Sequence, residues 1–273
     1  MNQQALMQFS RCMRLDILGM VHRAGKEGAH LGGCLSLVEI FTVLYSEILH
    51  YDPKRPDWKL RDRVILSKAH ASIALYAAMH AAGIYSDEEI QQPLYGKNTF
   101  LYKHSRRNLS RGLEMSGGSL GQGLPFGVGI ALALLTQENT SSKVYVILGD
   151  GECNEGSIWE AAALAGHHKL RNLTVIIDKN QQQLDGYTKD IIGMDNMAER
   201  WESFGFKTCI VNGHNYQELL KAFQTSHTQP LAIIANTIKG KGISFVQLNQ
   251  KWHANYLTDE LYQRALEEVK KIG

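Results

Sequence analysis

Between Lys143 and Ala161 the chain reads KVYVILGDGECNEGSIWEA. The run VYVIL has no polar alternation, which marks a strand covered on both faces. It ends at Gly149, Asp150 and Gly151, where two glycines allow a sharp turn that aims the carboxylate outward and lets a phosphate approach the backbone amides. A helix beginning near Ser157 adds its positive N-terminal end. Taken alone, the Asp-Gly turn is equally explained as a strand end capped by Asp150. The next strand, LTVII at 173–177, runs into Asp178, Lys179, Asn180, Gln181 and Gln182. Strand, crossover helix and strand bring Asp150 and Asn180 to one sheet edge, where a carboxylate and an amide oxygen can face one hard cation. Mg²⁺ takes octahedral oxygen ligation and keeps phosphate oxygens in its shell, so two side chains, one backbone carbonyl and a diphosphate would complete the sphere.

On both sides of this stretch helical periodicity alternates with short apolar runs, the signature of strands separated by crossover helices in a parallel sheet. The spacing predicts helices over 3–23, 36–49, 71–82, 124–137, 157–170, 197–204, 216–226 and 258–271, and strands over 63–66, 143–148, 173–177, 207–211 and 231–235. The fold class is therefore α/β, a doubly wound, mostly parallel sheet flanked by helices. No internal repeat is found, and the polar stretches at 53–59 and 137–142 read as short connections, so residues 1–273 are expected to form one domain.

Lys and Arg number 29 against 27 Asp and Glu, a formal net charge of +2, which gives no electrostatic case for nucleic acid or an anionic membrane as partner. Cys12, Cys34, Cys153 and Cys209 lie far apart and form no CxxC pair, so neither a zinc knuckle nor a disulfide framework is suggested, and a reducing compartment fits. The N-terminal stretch interrupts its apolar residues with Arg, Asp and Gln, unlike a signal peptide. The longest apolar stretch, 126–135, is about half the length that spans a bilayer. The expectation is a soluble cytoplasmic protein. Glycine, at 25 residues against 5 prolines, is the unusual part of the composition.

The GDG turn followed at this distance by an Asn after an apolar strand resembles the thiamine diphosphate-binding signature, and the wider match is to transketolases. The resemblance runs nearly end to end, through GKEGAHLGG (25–33), LSKAHAS (66–72), EMSGGSLGQGLPFGVG (114–129), GDGECNEGSIWEA (149–161), DKNQQQLDG (178–186), IVNGHN (210–215), TIKGKG (237–242) and KWHAN (251–255). It implies that Asp150, Asn180 and the carbonyl of Gln182 hold Mg²⁺, or Ca²⁺ or Mn²⁺ in its place. The Gly151 amide, His70 and His253 would face the diphosphate, and Gly118 and Leu120 would approach the cofactor by backbone and by packing on its rings. Gly118, Gly121, Gly123, Gly149 and Gly151 are expected where backbone meets cofactor. His30 and His104 match positions near the hydroxyls of the donor sugar, and His253 could also assist proton transfer. His80 and His167 fall within predicted helices and read as structural.

The family moves a two-carbon glycolaldehyde unit from a ketose to an aldose. It needs a glutamate on a separate pyrimidine-binding domain, which nothing here resembles. The expectation is thus the N-terminal subunit of a split transketolase, working with a separate C-terminal subunit on small sugar or sugar-phosphate substrates. Glu155, counted among the cofactor-binding residues, and Glu160 match acids that meet across a two-fold between neighbouring active sites, so two copies of each chain are expected. The alternatives are the alpha subunit of a 2-oxo acid dehydrogenase, a 1-deoxyxylulose 5-phosphate synthase and a non-enzymatic binding protein. The first lacks the His30 and KWHAN blocks, the second carries its pyrimidine domain on the same chain, and intact Asp150 and Asn180 argue against the third. Ala69, Leu31 and Ala254 stand where the family has Gly, Pro and Gly. Lys103, His104, Ser105, Arg106 and Arg107 replace the usual Gly-His-Pro, a basic patch suited to an anionic sugar.

Overall fold

A computed structural model describes residues 2–94, 99–137 and 141–271. At its centre lie β2 (Val144–Gly149) and β3 (Leu173–Lys179), paired in parallel with Gly149 opposite Asp178. β1 (Arg63–Leu66), β4 (Lys207–Asn212) and β5 (Leu231–Asn236) complete a five-stranded sheet in the order β1-β2-β3-β5-β4, every pair parallel. The absence of polar alternation has a simple cause. Val144, Val146 and Leu148 of β2 face one apolar cluster while Tyr145 and Ile147 face another. Both faces of a central strand must therefore be apolar. Edge strand β4 is covered less well and leaves Ile210 63% exposed.

Helices cover both faces. α1 (Gln3–Arg23) starts where the Asn2 side chain accepts from Ala5 N at 2.9 Å, and it buries the stripe Leu6, Met13, Ile17, Leu18 and Val21. It shares its layer with α2 (Leu31–Leu35), α3 (Val38–Val43), α4 (Ser72–Ala81), the short α5 (Asp87–Ile90), α10 (Tyr216–Phe223) and α11 (Asp259–Lys271). The opposite layer holds α6 (Gly123–Thr136), α7 (Gly156–His167) and α9 (Met197–Ser203), while α8 (Thr188–Ile191) is a single turn.

The strands and long helices fall within a few residues of their expected positions, with one informative exception. The helix expected over 36–49 is divided into α3 and a π turn at Leu44–Ile48, with the separate α2 before it. α2 begins five residues earlier than the apolar period because Gly32 and Gly33 carry no hydropathy signal. Their bareness is required by packing: a Cβ at Gly32 would lie 3.1 Å from Trp252 O, and one at Gly33 would lie 3.3 Å from the His70 ring. Of the connection at 137–142, residues 138–140 lie outside the described residues. Among the described residues no helix is long and apolar enough to cross a membrane, and all four cysteines are free.

Candidate active site

The carboxyl ends of β1, β2, β3 and β5 open into a cavity of about 300 Å³, the position at which an open α/β sheet binds ligands. One wall is built from oxygen. The register that sets Gly149 against Asp178 places Asp150 and Asn180 just beyond the paired residues, side by side. Asp150 accepts from Gly151 N at 2.9 Å and from Gln181 N at 2.7 Å. Gln181 can reach it because its backbone is left-handed, at φ +64°, a conformation that costs about 1–3 kcal/mol in a residue with a side chain. Asn180 donates through Nδ2 to Asp178 Oδ2 at 3.1 Å and accepts at Oδ1 from Gln182 N at 3.1 Å, which fixes the orientation of its amide. Asp150, Asn180 and Gln182 all line the cavity.

Behind this wall sits a buried ion pair that sequence reasoning missed. Lys68 Nζ donates to Asp178 Oδ2 at 2.5 Å, and the two side chains are 1% and 0% exposed. Ser36 Oγ (2.7 Å) and Thr237 Oγ1 donate to the same carboxylate. Burial would raise the Asp178 pKa, but the Lys68 ammonium and the hydroxyls of Thr237 and Ser36 outweigh it and hold the group below its ordinary range. Glu152, also missed, locks the GDG turn: its carboxylate accepts from Gly149 N at 3.1 Å, Gly121 N at 2.9 Å and Ser67 Oγ.

The opposite wall is basic. The imidazole of His30 lies 5.4 Å from that of His70, 5.7 Å from His104 and 5.4 Å from His253, centroid to centroid, so four loop histidines from distant parts of the sequence converge. Burial and its basic neighbours lower His30 to about 4, and burial with Lys239 and Lys68 lowers His253 to about 4. His70 is depressed well below its usual value and His104 is lowered as well, each chiefly by burial. All four are therefore neutral near pH 7. The positive charge comes from the lysines. Lys239 Nζ lies 3.3 Å from Gln182 O and 3.0 Å from His253 Nδ1. An ammonium has only donors, so Nδ1 accepts and the His253 proton sits on Nε2.

Burial and Lys68 push Lys239 down to about 8, while burial and the Asp178 charge push Asp150 up to about 6. Within one cavity a carboxylate is thus short of positive charge and an ammonium short of negative charge. Three buried polar atoms of cavity-lining residues, His30 Nδ1, Gln182 Oε1 and Gln183 Nε2, have no protein partner. Hard oxygens facing ammonium and imidazole groups suit a divalent cation bridged to a diphosphate.

The glycines divide into two groups. Gly118, Gly149 and Gly151 line the cavity, and a Cβ on Gly118 would meet nothing within 4 Å. Gly121 and Gly123, expected to meet a ligand, instead serve packing: a Cβ would lie 2.5 Å from Ser157 Oγ at Gly121 and 2.4 Å from Ser67 Cβ at Gly123. The same holds at Gly117, where a Cβ would fall 2.1 Å from the methyl of Ala69. Leu120 lines the cavity, as do His30, His70, His104 and His253. Glu155 does not; it is exposed at the start of α7, and Glu160 is exposed on the same helix. Of the basic patch only His104 faces the cavity. Lys103 Nζ donates to Glu27 O at 2.5 Å, Arg106 lies 4.0 Å above the Tyr102 ring, and Arg107 is exposed.

Comparison with known proteins agrees with this arrangement. The family model described as "Transketolase, thiamine diphosphate binding domain" matches residues 3–269. The chain is 39% identical over 253 residues to a 6-deoxy-6-sulfo-D-fructose transketolase subunit of Clostridium sp. strain MSTE9, covering 91% of each chain. It is 35% identical over 261 residues to an apulose-4-phosphate transketolase subunit of Phocaeicola vulgatus, covering 94% of this chain and 91% of that one. The crystal structure of transketolase from Campylobacter jejuni superposes with a TM-score of 0.91 at 33% identity, over 99% of this chain but 43% of the other. The chain belongs to the transketolase family and corresponds to its thiamine diphosphate-binding domain.

Proposed function

We propose that the chain is the thiamine diphosphate-binding subunit of a two-chain transketolase, which moves a two-carbon unit from a ketose to an aldose together with a second polypeptide carrying the pyrimidine domain. The observation that carries this reading is the pairing of Gly149 with Asp178, which sets Asp150 beside Asn180 in one cavity with Lys68 and Lys239. Asp150, Asn180 and the carbonyl of Gln182 hold the divalent cation, Mg²⁺ in the first instance. Lys239, Lys68, His70 and the Gly151 amide neutralise and orient the diphosphate. Thiamine diphosphate supplies a nucleophilic carbon that accepts and releases the two-carbon unit. His30 and His104, uncharged near neutral pH, hydrogen-bond sugar hydroxyls. His253 holds its proton on Nε2, fixed there by Lys239, and can donate it in a hydrogen bond to a substrate oxygen.

A second chain is supported from two directions. The first two relatives are themselves named as transketolase subunits and are matched over 91% of their length, whereas the Campylobacter transketolase chain is matched over 43%. The cavity is at the small end for a ligand site, as half of a shared site would be. α6 and α7 also leave Phe126 and Leu164 38% and 45% exposed, apolar surface suited to a partner or a second copy across a two-fold beside Glu155 and Glu160. Free cysteines fit a cytoplasmic location. Arg106 and Arg107, exposed beside His104, would meet the anionic end of a sugar.

The test is ketol transfer with thiamine diphosphate and Mg²⁺, with and without the second polypeptide. Turnover is expected only with both chains, and Asp150→Asn abolishes cofactor binding measured by calorimetry. Robust turnover by this chain alone would overturn the two-chain reading.

A further inference from the structure

One side-chain cluster outside the cavity has the composition of a metal site. Cys12 and Asp16 stand one turn apart on α1, on one face of the helix. His80, near the end of α4, reaches them from the packed neighbour. The thiol sulfur, a carboxylate oxygen and an imidazole nitrogen of these three half-buried residues lie within 4.8 Å of one another. We propose that Cys12, Asp16 and His80 form a zinc site that clamps α1 to α4 and leaves a fourth coordination position for water.

Three features support this assignment. The first is distance. Zinc bonds of about 2.3 Å to sulfur and about 2.0–2.1 Å to nitrogen and oxygen give tetrahedral ligand separations of roughly 3.3–3.6 Å. Cys12 Sγ lies 3.7 Å from Asp16 Oδ2, and His80 Nδ1 lies 2.7 Å from the same oxygen. The sulfur is in place, and the nitrogen–oxygen pair, which now shares a proton, must open by roughly 0.6 Å to admit the ion. The second is orientation. The other ring nitrogen, His80 Nε2, lies 3.0 Å from Asp87 Oδ1; such a carboxylate fixes the tautomer that presents Nδ1 to a metal. The third is access, since a surface hollow bordered by Phe9, Tyr45 and Ala82 reaches Cys12.

Thiolate, imidazole and carboxylate together favour zinc over Mg²⁺ or Ca²⁺, which want oxygen alone. None of the three residues lines the catalytic cavity. Arg23, the cation that Asp16 attracts from further along α1, donates its guanidinium to Ile90 O at 2.7 Å.

The site is tested by titrating Co²⁺ into the chelator-stripped full chain, with thiamine diphosphate and Mg²⁺ present throughout to occupy the oxygen-lined cavity. One equivalent is expected to bind, giving a thiolate-to-cobalt charge-transfer band and the visible absorption of a four-coordinate ion, and Zn²⁺ should displace both. Cys12→Ser should lose the charge-transfer band. Asp87→Asn, at a side chain 96% exposed and so without consequence for folding, should weaken Zn²⁺ binding about 10–100-fold. Absence of the band in the unaltered chain, or its survival in Cys12→Ser, would overturn the proposal.

Discussion

Replacing Lys68 with Met keeps the length and apolar volume of the side chain and removes the ammonium. The carboxylate of Asp178 is then left fully buried, facing only Ser36, Thr237 and Asn180. Breaking a buried pair by deleting one partner costs about 3–5 kcal/mol, because the remaining charge stays desolvated and uncompensated. At about 2 °C per kcal/mol for a chain of 273 residues, the melting temperature should fall by about 6–10 °C. Asp178→Asn should cost a comparable amount, since it strands the ammonium. Combining both substitutions removes both charges, so the double variant should be more stable than the sum of the two losses predicts. Calorimetry on the four proteins at one pH measures this cycle directly. If Lys68→Met lies within about 1 kcal/mol of the parent, or if the two losses simply add, then the pair is not held as described and its ions are hydrated.

Two further expectations concern separate parts of the chain. Glu39 accepts from Arg14 and from His214 Nδ1 (2.8 Å), and its burial, which would raise the carboxyl, is outweighed by these partners so that its pKa lies below the ordinary 4.5. The folded form then binds fewer protons than the unfolded form, so the stability is complete above pH 4.5 and is lost as pH falls through the lowered value. Glu39→Gln should flatten the acid limb of melting temperature against pH, and an unchanged acid limb would count against the network. Gly121→Ala, at φ +79° with a Cβ 2.5 Å from Ser157 Oγ, should lose about 1–3 kcal/mol. Gly118→Ala, with open space around it, should keep its stability within about 0.5 kcal/mol and instead weaken binding of thiamine diphosphate measured by calorimetry. Equal stability losses for the two would contradict the division of the glycines.

The sheet was legible because its central strands bury both faces, so VYVIL and LTVII announce themselves without any tertiary information. The Asp150 and Asn180 pairing followed from those strands plus one crossover. What stayed hidden shares a cause: a residue type whose local pattern is the same whether buried or exposed. Lys68 and Lys239 carry no sign of their burial, since nothing adjacent in sequence reveals that Asp178 or His253 closes over them. α2 was invisible because its glycines contribute backbone rather than hydropathy. The SLGQG stretch carried the opposite error, in which glycines needed for close approach to Ser157, Glu155 and Ser67 looked like ligand contacts. His80 fell in a helix and read as structural, and only the fold brings Cys12 and Asp16 to it.

The contact between Ala69 and Gly117 constrains how this chain can vary. The methyl of Ala69 fills the space that any side chain at 117 would need, since a Cβ there would lie 2.1 Å away. The two positions therefore share room for one methyl group. Moving it from one side to the other one substitution at a time passes through a form with glycine at both, which leaves a methyl-sized void near Leu66 O. Substitution at 117 is closed to this chain until 69 has given way, so the order of replacement is set by volume rather than by chemistry.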